Sequence, residues 1–262
     1  MFEPLPSRSP QRGEVAIKAV VFDTYGTVCD FYSTFRDGFQ GLVERHDLDL
    51  DPARLAIDWR TAYLFSTVGQ AYAESEFLPL AQMNRSNLEQ LLHERADLKL
   101  DEDELNAMVA LWRQMRPWPD VVEGLSSIRE RAIIGPLSNG NFTDMALLAR
   151  HAGLPWDVIL GSSLTGFYKP HPQTYLRSVQ VLGLEPAEVC MVAAHQPDLA
   201  FAAGHGMQTA FVTRPDEFGG AVKPAQPEEG ESYLDAAEIH PEGDWTYLAT
   251  DFIDLAAQLQ GN

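Results

Sequence analysis

The sequence predicts an α/β fold, a doubly wound parallel sheet with a Rossmann-like core and an inserted helical cap subdomain. Three observations predict it. Short apolar runs recur at Ala19–Phe22, 132–137, 158–160, 189–194 and 209–212, each of strand length and bounded by turn residues. Helical periodicities alternate with them after residue 119, the pattern of βα units. Residues 33–115 carry helical spacing with no strand pattern. A length of 262 residues suits one core and one inserted subdomain. The expected organisation is a loose tail at 1–14, a core from 15–32 and 116–262, and a helical cap at 33–115.

In chain order, residues 1–14 hold three prolines and two arginines but no apolar stretch, so they read as a tail and not a signal peptide. The first strand stops at Asp23, Gly26 permits a tight turn, and Thr27 can bond back onto it. Phe35, Phe39, Leu42 and Val43 give 33–47 helical spacing. Asp51-Pro52 opens a second helix, with Pro in its first turn, running through Leu55, Trp59, Ala62, Tyr63 and Phe65. Leu88, Leu91 and Leu92 mark a helix in 76–97, and Leu105, Met108, Leu111 and Trp112 another in 101–115. Pro119-Asp120 starts a helix over 121–131. The strand 132–137 delivers Ser138-Asn139-Gly140-Asn141, and helix 142–151 stops at Gly153. After strand 158–160, the loop Gly166-Phe167-Tyr168-Lys169-Pro170 leads into a helix over 172–182 ended by Gly183. Strand 189–194 precedes a helix over 198–203 ended by Gly204, and strand 209–212 follows. Residues 214–246, rich in Pro, Gly and Glu, read as a solvated loop, and 251–260 as a terminal amphipathic helix.

Composition narrows the function. Acidic residues outnumber basic ones 38 to 19, a net charge of −19. That argues against nucleic acid or an anionic membrane as partner. An anionic substrate would need locally placed Arg or Lys. Two cysteines, Cys29 and Cys190, give no disulfide framework and fit a cytoplasmic protein. No apolar segment is long enough to span a bilayer.

The run Phe22-Asp23-Thr24-Tyr25-Gly26-Thr27 and then Asp30 carries the chemistry: a carboxylate at a strand end, where open α/β sheets place ligands. Read by itself, Asp23 could instead cap the next turn. The motif resembles the first motif of the haloacid dehalogenase superfamily, and most of all its L-2-haloacid dehalogenases. Ser138-Asn139-Gly140, Lys169-Pro170 and the spaced Asp198 follow in the order that family shows, so the resemblance covers nearly the whole chain after residue 15. It implies that Asp23 is a nucleophile and that Lys169 keeps it ionised. It further implies that Asp198 positions the hydrolytic water, that Thr24, Tyr25, Thr27, Ser138, Asn139 and Tyr175 line the substrate site, and that a homodimer forms. Superfamily phosphatases keep an acid two residues after the nucleophile to protonate an alkoxide. Here that position is Tyr25, and a halide leaves without a proton.

In-line displacement sends the halide towards the cap, so a cap cation is required. Trp59-Arg60 resembles the family's Trp-Arg pair, making Arg60 and Asn139 the expected halide ligands. Arg54, Arg85, Arg113 and Arg116 are its rivals. The segment Met191-Val-Ala-Ala-His-Gln-Pro-Asp198 departs from the family pattern twice. Ala194 stands where phosphatases keep a metal carboxylate, so no metal and no cofactor are expected. His195 stands where dehalogenases keep Asn, and an imidazole near its ordinary pKa could accept a proton from water. The expected function is hydrolysis of short (S)-2-haloacids to (R)-2-hydroxyacids through an Asp23 ester. The alternatives are a metal-free hydrolase of another small activated acid such as a cyclic imino acid, a phosphatase, or a silent binding protein of the same superfamily.

Overall fold

The structure, a computed structural model, describes residues 15–73, 75–220 and 243–260. The tail at 1–14 and residues 221–242 of the expected loop lie outside the described residues. In chain order the elements are β1 (Ala19–Phe22), β2 (Cys29–Asp30), α1 (Phe31–Arg45), α2 (Pro52–Tyr72), α3 (Leu80–Ala96), α4 (Glu102–Ala110), β3 (Arg116–Pro117), α5 (Val121–Arg129), β4 (Ile133–Ser138) and α6 (Phe142–Ala152). Then follow β5 (Leu160–Gly161), α7 (Ser162–Thr165), α8 (Pro172–Leu182), β6 (Val189–Ala193), α9 (Gln196–Gly204), β7 (Gln208–Val212), β8 (Tyr247–Ala249) and α10 (Phe252–Gln260).

Six parallel strands run in the order β5-β4-β1-β6-β7-β8. The chain goes outward from β1 on one side, then returns to the other, so β1 sits at the switch point where such sheets bind ligands. Phe22 is level with Pro136 of β4 and Val192 of β6. The residues just past these strands therefore meet at one edge. Side chains alternate between two apolar layers. Val20, Phe22, Ile134, Cys190 and Val192 join Leu125 and Phe252 on one face, while Ala19, Val21, Met191 and Ala193 join Tyr175, Val179 and Leu199 on the other.

Helices α1 to α4 lie between β2 and β3 in the chain, and their starts are written locally. Asp30, Asp51 and Asp101 each accept a backbone N–H of the helix that follows, and Pro52 fits the first turn of α2. Trp59 and Trp112 pack on each other and on Phe35 at their centre.

Several expectations shift. The expected strand 158–160 pairs only at β5, displaced towards Gly161. Helix α9 begins at Gln196, where Pro197 suits the first turn, and continues through Gly204; Gly206, at φ 84°, makes the turn beyond it. The β2–β3 pair, α7 and β8 have no counterpart in the sequence reading, since two to four residues carry too little periodicity. The loop expected to be solvated from 214 instead begins with Arg214 and Glu217 buried.

Close packing of α5 on α10 depends on Gly124. A Cβ there would stand 2.5 Å from Phe252 Cβ and 2.6 Å from its carbonyl oxygen. Gly124→Ala should therefore lower stability by about 1–3 kcal/mol despite its better helix propensity, measured by urea unfolding.

Candidate active site

Asp23 follows β1, and its N–H continues the ladder to Val192 O at 2.9 Å. Its side chain is buried and fully engaged. Oδ1 accepts from Lys169 Nζ at 2.8 Å, and Oδ2 accepts from Thr27 Oγ1 at 2.8 Å and lies 3.2 Å from His195 Nδ1. Burial alone would raise the Asp23 pKa, but the charge of Lys169 and the hydrogen bond and charge of His195 outweigh it and hold the carboxyl far below its ordinary value. Thr27 is fixed in turn, since its oxygen accepts from Ala194 N–H at 3.0 Å. The N–H groups of Gly26, Val28 and Cys29 are bonded within the turn and so are not open to a substrate.

Lys169 comes from the loop before α8. Its N–H donates to Asn139 Oδ1 at 2.8 Å, and its ammonium also reaches Asp198 Oδ2 at 2.5 Å. Burial opposes its charge, yet Asp198 and Asp23 push its pKa well up. The other Asp198 oxygen accepts from Tyr175 OH at 2.6 Å. Asp198 thus holds Lys169, with one donor on each of its oxygens. Its own pKa is raised, mainly by burial, with Lys169 acting against the rise.

His195 follows β6 and sits between two acids, with Nδ1 on Asp23 and Nε2 2.8 Å from Glu217 Oε1. Its side chain is 28% exposed. Desolvation lowers its pKa, but Glu217 and Asp23 prevail and push it up to about 10. The expectation that His195 accepts a proton near neutral pH is therefore corrected for the free protein: it is already an imidazolium. Sequence reasoning missed Glu217, although it lies just past the end of β7 on the same sheet edge. Gly26, at φ +96°, makes room for it, because a side chain there would run into the Glu217 carboxylate. Arg214, also missed, fastens this loop. It donates to Thr27 O at 2.8 Å and forms a two-pronged pair with Asp120 at 2.9 Å, and its carbonyl accepts from Glu217 N–H.

Arg60 descends from α2 and is buried. Nη2 donates to Tyr25 O at 3.3 Å, and the guanidinium lies 4.6 Å from the Tyr63 ring centre and 5.2 Å from that of Phe31. Its Nε and Nη1 find no acceptor among the described residues. The rivals fail: Arg54, Arg85 and Arg113 face carboxylates near the surface, and Arg116 is exposed. Ser138 is buried, its hydroxyl accepting from Gly140 N–H at 3.1 Å. Thr24 and Tyr25 are buried with hydroxyls unbonded among the described residues, and Tyr25 packs edge-on against Tyr63 and Trp112. Tyr63 was missed as a site residue, although it lies three positions after Arg60 on the same helix face.

An ionised carboxylate on a sheet edge, flanked by an ammonium, fits a hydrolase that works through a carboxylate nucleophile. The sequence pattern of haloacid dehalogenase-like hydrolases matches residues 17–206, and the chain belongs to that family. It is 30% identical over 209 residues to an (S)-2-haloacid dehalogenase of Xanthobacter autotrophicus, covering 76% of each chain. Among solved structures it resembles a defluorinating L-2-haloacid dehalogenase at 41% identity, with a TM-score of 0.85 and coverage of 97% of this chain and 98% of the other. It also resembles a second L-2-haloacid dehalogenase at 36%, with a TM-score of 0.83 and coverage of 94% and 100%. Among the described residues no helix is long and apolar enough to cross a membrane.

The His195 environment gives a titration test. Its ring should stay protonated through neutral pH and lose its proton near pH 10 in NMR spectra of the wild type. In Asp23→Asn, which removes one of its two anionic partners, that midpoint should fall. A wild-type midpoint near 6.5 would show that the two acids do not hold the charge.

Proposed function

We propose that this chain hydrolyses short (S)-2-haloacids to (R)-2-hydroxyacids through an ester on Asp23. The single observation that carries the reading is Asp23 itself. It is an ionised carboxylate whose neighbour two residues on is a phenol rather than an acid, facing a buried Arg60 with two nitrogens unpartnered among the described residues. The Xanthobacter relative and both similar structures are 2-haloacid dehalogenases by name, which supports the same substrate class here. A homodimer in the cytoplasm belongs to this reading, on the family resemblance.

In the proposed cycle an Asp23 oxygen bonds to C2 as the carbon–halogen bond breaks with both electrons on the halide. Backside attack inverts the carbon, and the halide leaves towards Arg60 and Asn139. Ser138 and free N–H groups of the turn hold the substrate carboxylate. Water then attacks the Asp23 carbonyl carbon, and the donor on the oxygen that did not attack C2, Lys169 on Oδ1 or Thr27 on Oδ2, stabilises the oxyanion. Esterification cancels the Asp23 charge, which lowers the His195 pKa, although Glu217, the stronger of its two anionic partners, stays in place. A ring that has given up its Nδ1 proton, still held by Glu217 at Nε2, takes a proton from the attacking water. The adduct collapses as the bond between the Asp23 carbonyl carbon and the product oxygen breaks; that oxygen takes the remaining proton of the water, and Asp23 is again a carboxylate.

Wild type should release chloride from 2-chloropropionate, with excess EDTA making no difference. Asp23→Asn should release none while remaining folded. A single turnover in ¹⁸O-water should label Asp23 before the product; label in the product alone would mean that water attacks the substrate directly. Glu217→Gln should slow ester hydrolysis about 10²-fold or more, with halide appearing as a burst and the acyl mass accumulating on the protein. Full turnover without a burst would leave Glu217 no part in the second step.

A further inference from the structure

Tyr63 is a buried phenol that the cycle above does not use. Its ring is immobilised on three sides. The Arg60 guanidinium lies over it at 4.6 Å, Trp112 packs against it at 4.9 Å, and Tyr25 stands edge-on at 5.8 Å. The hydroxyl faces the reacting groups. It feels the charges of Arg60, Asp23 and Lys169, and the side-chain amide of Asn139 lies beside it, favouring its anion.

The direction of the contact follows from what it favours. A group that favours the phenol's anion donates to its oxygen, so Asn139 presents Nδ2 to Tyr63 while its Oδ1 accepts from Lys169 N–H at 2.8 Å. The Tyr63 oxygen is thereby an acceptor, and its O–H remains to donate. Burial holds the phenol pKa above its ordinary value, so the proton stays on. The donor lies beside Arg60 and Asn139, the two groups towards which the halide leaves.

We infer that Tyr63 donates its O–H to the departing halide and so helps set which halogens the enzyme removes. This rests on the dehalogenase reading. A phenol is a directional donor on a fixed ring, whereas the guanidinium charge attracts any halide. The contribution of a directional hydrogen bond grows with the charge density of its acceptor, so chloride gains more than bromide. No proton is transferred: the halide leaves as an anion, and the phenol stays neutral.

Tyr63→Phe keeps the ring, its stacking and the position of Arg60, and removes only the donor. Initial rates of halide release are compared for 2-chloropropionate and 2-bromopropionate in wild type and variant, with thermal melts to confirm the fold. The expected result is a loss of about tenfold in kcat/KM for the chloro acid and about threefold or less for the bromo acid. Chloride should also inhibit the variant more weakly than wild type, while bromide inhibition changes less. Equal losses for both halogens, no loss, or a larger loss with bromide would each overturn the inference and leave Tyr63 as packing. A wild type that releases neither halide would instead remove the dehalogenase reading, and this inference with it.

Discussion

The arrangement depends on one buried ammonium. Lys169 Nζ bridges Asp23 and Asp198, and its backbone N–H is tied to Asn139. A lysine in that position is costly to desolvate, and two carboxylates meet the cost. The consequence for Asp23 is double. It is ionised at any working pH, yet each of its oxygens already has a donor. A carboxylate so well solvated by protein is a weak nucleophile until the substrate displaces a contact. Of the three donors, His195 makes the longest contact, at 3.2 Å, and is partly exposed.

Arg60 solves the problem that the −19 net charge poses for an anionic substrate. Its rivals are matched to surface carboxylates or exposed, but Arg60 is held by a carbonyl oxygen and two aromatic faces. Those partners orient the guanidinium without neutralising it. In the proposed cycle this buried cation, with two nitrogens short of acceptors among the described residues, is where the halide goes.

How much of this was legible follows from where each signal lives. Asp23 follows a strand, and Lys169 and Asp198 lie in the loop and the helix turn beyond later strands; strand ends can be read from short apolar runs, so their convergence on one edge was visible along with the parallel core. In-line geometry asked for a cap cation, but only the resemblance of Trp59-Arg60 picked Arg60 from its rivals. Glu217 was not, because local composition made its segment a solvated loop, and its burial is decided by His195, 22 residues away, and by the pairing of its neighbour Arg214 with Asp120. The surroundings of Asp198 and His195 were hidden for a related reason. A titratable group takes its protonation state from neighbours in space, and both of those residues prove to be bound on two sides. Strand β8 escaped because three residues at a sheet edge, alternating buried and exposed, cannot be told from loop.

The described start of the loop that sequence composition hid is firmly fastened. Asp120 receives both prongs of Arg214 and the N–H of Phe252, which joins the start of α5 to the start of α10. Arg214 in turn holds Thr27 O, in the turn of the nucleophile, and the N–H of Glu217. This part-buried pair joins the Glu217 loop to the starts of two core helices, so the spacing of Glu217, His195 and Asp23 is tied to the core itself. That rigidity matters because the charge on His195 is shared between two acids. With Asp23 ionised the imidazolium is favoured and steadies the nucleophile. In the proposed cycle alkylation removes one of those acids while Arg214 keeps the other in place, so the ring loses its proton without losing its position. The same fixed geometry then serves both half-reactions, and the change of role comes from the charge on Asp23 alone.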